Sequence, residues 1–151
     1  PAGCILYRND EIAGSSTTHV SYLAGGKTRQ RTIVGTRSGA SVAAVWSIVQ
    51  HLGYEGYTEI VRECMRTTYF LKDRIDAIEG ITPVLPPVIN VLGIRPTQCS
   101  SDELARRVRA RGFALSLFPG FLRITLMPHV QQADLENFLH VLQEELQCDS
   151  K

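Results

Sequence analysis

The segment Gly35-Thr36-Arg37-Ser38-Gly39 sets two hydroxyls, a guanidinium and two glycines directly before an apolar-periodic stretch. The start of a helix offers backbone N–H groups without partners and the positive end of the helix dipole. Glycine lets such a backbone approach a ligand closely. Together these groups suit an anion, phosphate above all. The segment lacks the lysine and spacing of a Walker loop. An ordinary capped helix start with a solvated arginine is the plain alternative. A second candidate is Arg123, within Phe121-Leu122-Arg123-Ile124-Thr125-Leu126-Met127. Strand alternation puts Leu122, Ile124 and Leu126 on one face and Arg123 and Thr125 on the other. Its planar fork matches a carboxylate, although an arginine on the polar face of a strand is more often solvated. His129 follows Pro128 just beyond that strand and is a possible acid or base, or simply a turn residue. His19, His51 and His140 have no partners at metal-ligand spacing, and paired carboxylates, HExxH and GxSxG patterns are absent.

The elements that must position these groups follow from periodicity. Cys4 to Arg8 reads as a short strand, Asn9-Asp10 as a turn, and Val20 to Leu23 as a second apolar stretch ended by Ala24-Gly25-Gly26. Lys27 to Arg31 is basic and exposed. Val42, Val45, Trp46, Val49 and Leu52 recur every three or four residues, so a helix is predicted with Ser38 as N-cap and Gly53 as stop. Tyr54 to Tyr57 bridges to a longer helix whose stripe is Ile60, Val61, Cys64, Met65, Thr68, Leu71, Ile75 and Ile78, closed by Gly80. Thr82-Pro83-Val84-Leu85-Pro86-Pro87 cannot be helical, and a domain boundary is placed there, giving parts 1–82 and 83–151. Beyond it, Val88 to Ile94 is a strand. Ser100-Ser101-Asp102-Glu103 reads as a capping box opening a helix over Leu104, Val108 and Ala110, stopped by Gly112. Phe113 to Phe118 and Phe121 to Met127 form a hairpin about Pro119-Gly120. Gln132 to Gln147 is the last helix, with Leu135, Phe138, Leu139, Leu142 and Leu146 on one face. The second part is thus a β-α-β-β-α unit of α+β type, with helices on one side of a mostly antiparallel sheet.

Composition narrows the class. The chain has 151 residues, 44% of them hydrophobic and 21% charged, which is ordinary for a globular protein and excludes disordered, collagen-like and disulfide-scaffold classes. A net charge of +1 argues against a nucleic-acid binder working through a basic field. No apolar run reaches the roughly 18–20 residues of a membrane span. Cys4, Cys64, Cys99 and Cys148 show neither CxxC nor zinc-finger spacing, so a reducing, cytoplasmic setting is expected, with Cys4 and Cys64 as small core residues.

Three blocks in order carry a resemblance. They are Pro1-Ala2-Gly3-Cys4-Ile5-Leu6-Tyr7-Arg8; then Thr32-Ile33-Val34-Gly35-Thr36-Arg37-Ser38-Gly39-Ala40 with Trp46 and Gly53-Tyr54-Glu55-Gly56-Tyr57; then Phe121 to Val130 with its closing helix. The chain resembles, along essentially all its length, the group II pyridoxal-phosphate decarboxylases, and among them the archaeal L-tyrosine/L-aspartate decarboxylases. Glutamate decarboxylase and sphingosine-phosphate lyase are similar at a greater distance. The resemblance implies the C-terminal part of a fold-type I, pyridoxal 5'-phosphate-dependent transferase-like enzyme. Residues 1–82 would end the α/β cofactor-binding large domain and its connecting helices, and 83–151 would be the small C-terminal domain. It implies a homodimer, an amino-acid substrate, a lyase that releases carbon dioxide, and no nucleic-acid or membrane partner. Tyramine or β-alanine would be the product, feeding methanofuran or coenzyme A synthesis.

Roles follow from the same resemblance. Gly35, Thr36, Arg37 and Ser38 would reach the cofactor phosphate, and Arg123 would hold the substrate carboxylate. His129 matches the family pattern without an assigned role. One departure matters: the family's Schiff-base lysine lies in a His-Lys pair upstream of the first block. The only lysines here are Lys27, Lys72 and Lys151, and none follows a histidine. The expectation is therefore a fragment of a longer decarboxylase, inactive and without cofactor on its own. A stand-alone α+β ligand-binding or interaction module is the alternative.

Overall fold

The computed structural model describes residues 3–22, 25–26, 28–32, 34 and 38–147. The chain divides into two compact units, Pro1–Gly53 and Tyr54–Lys151. The expected boundary at 82/83 rested on proline stiffness. The second unit also takes in the helix before those prolines, which supplies part of its core.

In the first unit, helix α1 (Asp10–Ser15) is capped by Asn9, whose Oδ1 accepts from the Ile12 N–H at 3.0 Å. Asn9-Asp10 is thus a helix start and not only a turn. Strands β1 (Thr18–Val20) and β2 (Thr28–Gln30) pair antiparallel, Thr18 opposite Gln30. The strand expected over Cys4 to Arg8 does not form. An apolar run becomes a strand only where a neighbour takes its backbone hydrogen bonds, and here Ile5 and Leu6 are exposed. Cys4 is likewise exposed and is not a core residue, whereas Cys64 is buried.

Helix α2 (Ala40–Asp76) is broken at Gly53, whose φ of 59° and ψ of −169° only glycine adopts readily. The expected stop at Gly53 is therefore present. The expected bridge over Tyr54 to Tyr57 is absent, since those residues are already helical. Before the break, Val42, Val45, Trp46 and Val49 form the expected stripe but are exposed.

In the second unit, residues 54–76 of α2 bury Cys64, Thr68, Leu71 and Ile75, one stripe at spacings of four and three. Val61, expected within that stripe, faces solvent. The buried Thr68 hydroxyl donates to the Cys64 carbonyl at 2.7 Å, so no polar atom is stranded. Strands β3 (Ile81–Pro83), β4 (Val91–Pro96), β5 (Ser116–Phe118) and β6 (Phe121–Thr125) form a sheet of order β3-β4-β6-β5, each neighbouring pair antiparallel. The sequence reading lacked β3. Its Pro83 is tolerable because β3 is an edge strand.

Helices α3 (Ser101–Ala110) and α4 (Gln132–Gln147) contribute to the same core. Leu92 pairs with Ile124 and Ile94 with Leu122, and these four meet Leu71, Ile75, Leu104, Val108, Phe138 and Leu142 in one cluster. Ser100 caps α3, its Oγ accepting from the Glu103 N–H at 3.1 Å. The box is half made, because the Glu103 carboxylate pairs with Arg107 at 2.5 Å instead of reaching back. Strands β4 and β5 are shorter than expected; Val88 and Ile89 precede β4 as exposed residues.

Candidate functional site

Alternation along β6 reads half-buried, buried, exposed, buried, exposed from Phe121 to Thr125. Leu122 and Ile124 enter the core, so Arg123 must leave on the other face. That face also carries Gly93, opposite Arg123, and Ser116, its partner on β5. Phe118 and Phe121 lie across from one another at the end of the hairpin. Their rings stack with centroids 5.2 Å apart and planes 12° from parallel.

The Arg123 guanidinium lies over the Phe118 ring, its Cζ 4.7 Å from the centroid. Such a stack contributes about 0.5–1 kcal/mol at an exposed position. A Cβ at Gly93 would come within 3.3 Å of Val84 and 3.4 Å of Phe121 Cδ2. Glycine here is a matter of space: Phe121 and Val84 occupy the volume a side chain would need. Arg95, also exposed, donates from Nε to the Gly120 carbonyl at 3.1 Å and ties down the turn between the two phenylalanines. Gly120 makes that turn with a φ of 79°. The chemistry open to this patch is recognition of a planar anion by an arginine whose guanidinium carbon is held over an aromatic ring.

His129 stands in a tight turn. The Val130 N–H donates to the Met127 carbonyl at 3.0 Å, so Pro128 and His129 are its central residues, with proline at the position it favours. Asn90 anchors the strand entering this turn. Its Nδ2 donates to the Leu126 carbonyl at 2.8 Å, and its carbonyl accepts from the Leu126 N–H at 2.9 Å. His129 itself is exposed.

Of the expected anion segment, Gly35, Thr36 and Arg37 lie outside the described residues. Ser38 is described. Its Oγ accepts from the Ala40 N–H at 3.2 Å. The first turn of α2 contains no acidic residue. A helix start with a serine hydroxyl beside it and no acidic residue in its first turn is of a kind that fits a phosphate. Ser38 belongs to the first unit, Arg123 and His129 to the second.

The remaining strong charges brace the fold. Arg111 meets Glu144 at 2.7 Å and Glu145 at 2.9 Å, joining α3 to α4. The hydrogen bond from Arg111 holds the Glu144 carboxyl below its ordinary range. Among the described residues no cluster of three or more His, Cys, Asp or Glu could hold a metal, and no helix is long and apolar enough to cross a membrane.

Periodicity found Arg123 but not its neighbours. Phe118, Phe121, Gly93 and Asn90 matter here through pairing across strands, which local sequence does not display. The one available signal was the Phe-Pro-Gly-Phe turn, which sets two aromatic residues opposite each other.

No protein-family model matches the chain. It is 40% identical over 144 residues to an L-aspartate decarboxylase of Thermococcus kodakarensis, covering 95% of this chain and 37% of that protein. It is 38% identical to the L-aspartate/L-glutamate decarboxylase of Pyrococcus horikoshii, covering 97% and 38%. A probable L-tyrosine/L-aspartate decarboxylase of Methanothrix thermoacetophila is 36% identical over 97% and 37%. Among solved structures, the sphingosine-1-phosphate lyase of Burkholderia pseudomallei superposes with a TM-score of 0.79 at 21% identity, over 93% of this chain and 32% of that one. A glutamate decarboxylase of Lactobacillus brevis gives 0.70 at 16% identity, over 91% and 34%. The chain shares its fold with the matching parts of these two enzymes, as the resemblance implied. The chain spans a little over a third of the length of the curated relatives it matches. Along nearly all of its length the chain is similar in sequence to about a third of the archaeal L-aspartate and L-tyrosine/L-aspartate decarboxylases.

Proposed function

We propose that the chain is the C-terminal portion of a pyridoxal-phosphate-dependent L-amino-acid decarboxylase. The reaction removes the α-carboxylate of aspartate or tyrosine as carbon dioxide and puts a proton on the α-carbon, leaving β-alanine or tyramine. The observation that carries this reading is Arg123, its guanidinium carbon set over the Phe118 ring, in a chain whose relatives are named decarboxylases. Its N–H edge takes the substrate carboxylate bidentately and sets the direction of the bond that breaks. When bound, the cofactor supplies a cationic ring that accepts the electron pair left as carbon dioxide departs. Gly35, Thr36, Arg37 and Ser38 would hold its phosphate, by backbone N–H groups, hydroxyls and the guanidinium.

In this reading residues 1–82 end the large domain and 83–151 form the small one, the active enzyme is a cytoplasmic homodimer, and the chain alone is inactive because no lysine follows a histidine. His129, in the turn between β6 and the closing helix, matches the family pattern without an assigned role. The first relatives named above favour aspartate over tyrosine as substrate.

The test uses the full-length protein, in which a His-Lys pair is expected ahead of Pro1. Carbon dioxide release from aspartate and tyrosine is measured for the native enzyme and for Arg123→Met. Loss of a desolvated charge pair costs about 2–5 kcal/mol, so kcat/KM falls by about thirtyfold or more. Unchanged turnover in Arg123→Met sinks the carboxylate role, and an upstream sequence without that lysine sinks the enzyme reading.

A further inference from the structure

We propose that Phe118, braced by Phe121 and by the missing side chain at Gly93, is a positioning residue that sets the plane of the Arg123 guanidinium. The proposal rests on the reading that Arg123 binds the substrate carboxylate. It adds what keeps that arginine ready.

Arg107 of α3 and Arg111 at its C-terminal end provide the contrast. Arg111 has its fork occupied by Glu144 and Glu145, and Arg107 pairs with Glu103. Such a fork is oriented by an anion and closed to another. Among the described residues no carboxylate pairs with Arg123, and its one oriented neighbour is the Phe118 ring at 4.7 Å. At that distance a guanidinium can lie face-on to the ring, an arrangement that fixes its plane and leaves the N–H edge available. An arginine held only by its own stem would lose rotamer freedom at the moment of binding, and pre-stacking removes part of that cost.

The shelf is itself braced from two sides. Phe121 stacks on Phe118 at 5.2 Å and reaches over β4, into the space that a Cβ at Gly93 would contest at 3.4 Å. At the hairpin end, Arg95 Nε holds the Gly120 carbonyl at 3.1 Å. Cross-strand register makes Phe118 the diagonal neighbour of Arg123, a separation that long and aromatic side chains bridge.

The first experiment needs no activity. In the 151-residue chain, the Arg123 side-chain NMR signals, assigned by their loss in Arg123→Lys, should be displaced upfield by the Phe118 ring current. Phe118→Leu should abolish the displacement, and Phe118→Tyr should keep it. Persistence in Phe118→Leu overturns the proposal. The second uses the full-length holoenzyme and compares affinity for the amino acid with affinity for its product amine, which lacks the carboxylate. Phe118→Leu should weaken amino-acid binding by about twofold to fivefold, leave the amine unchanged, and be rescued by Phe118→Tyr. Equal weakening of both ligands would reveal general damage to the fold and overturn the positioning role. Failure of the underlying reading looks different: Arg123→Met would then leave amino-acid binding intact, whatever the NMR signals of Phe118→Leu show.

Discussion

Arg123 and Leu142 illustrate two ways a residue can matter. Arg123 is exposed, and its removal costs the fold only its stack on Phe118. Arg123→Met should therefore lower stability by no more than about 1 kcal/mol, measured by urea unfolding, while strongly reducing decarboxylation in the full-length enzyme. Leu142 is fully buried among Leu71, Leu92 and Phe138. Leu142→Ala removes apolar contact and leaves a cavity, so a loss of about 2–5 kcal/mol is expected in the same measurement. Reversed magnitudes would mean that the assignment of core and site is wrong.

At the scale of elements, α3 is fastened at both ends. Ser100 satisfies the Glu103 N–H at its start, and Ser100→Ala should cost about 1 kcal/mol by chemical denaturation. At its end, Arg111 binds Glu144 and Glu145 of α4. Because Arg111 lowers the Glu144 pKa in the folded state, the pair stabilises above the unfolded carboxylate pKa. That stability is lost as pH falls toward the folded value. Glu144→Gln should thus flatten the acid limb of the stability–pH curve and leave the neutral-to-basic limb in shape. Steepening on acidification would contradict the pairing. The pairs are solvent-exposed, so the effect should also shrink in high salt.

At the scale of the whole molecule, the two units differ in how much apolar surface they cover. The second has one continuous core from Leu71 to Leu146. The first leaves Val42, Val45, Trp46 and Val49 exposed along one side of α2, beside a cavity of about 460 Å³ shared with Gly3 and Cys4. Trp46 is the only tryptophan and is 64% exposed. Its fluorescence in this chain should be that of a wet indole and open to quenching by iodide; blue-shifted, protected emission would show the stripe covered. Amide exchange should be slowest around Leu71, Leu92 and Leu142 and fast before Gly53, since protection follows buried contact.

Periodicity and turn chemistry alone determined most of the local organisation. The break at Gly53, the Ser100 cap, the Pro119-Gly120 hairpin and the full extent of α4 were legible because each depends on nearby residues. So was the side of β6 from which Arg123 emerges, since a strand alternates with period two. Tertiary structure decided what depends on distant neighbours. Cys4 to Arg8 has strand-like composition but no pairing partner, β3 is a strand only because β4 accepts it, and the stripe from Val42 to Val49 is apolar yet uncovered. The setting of Arg123 belongs to this second class. Phe118, Phe121, Gly93 and Arg95 meet around it through strand register, and register is a relation between segments that no single segment contains.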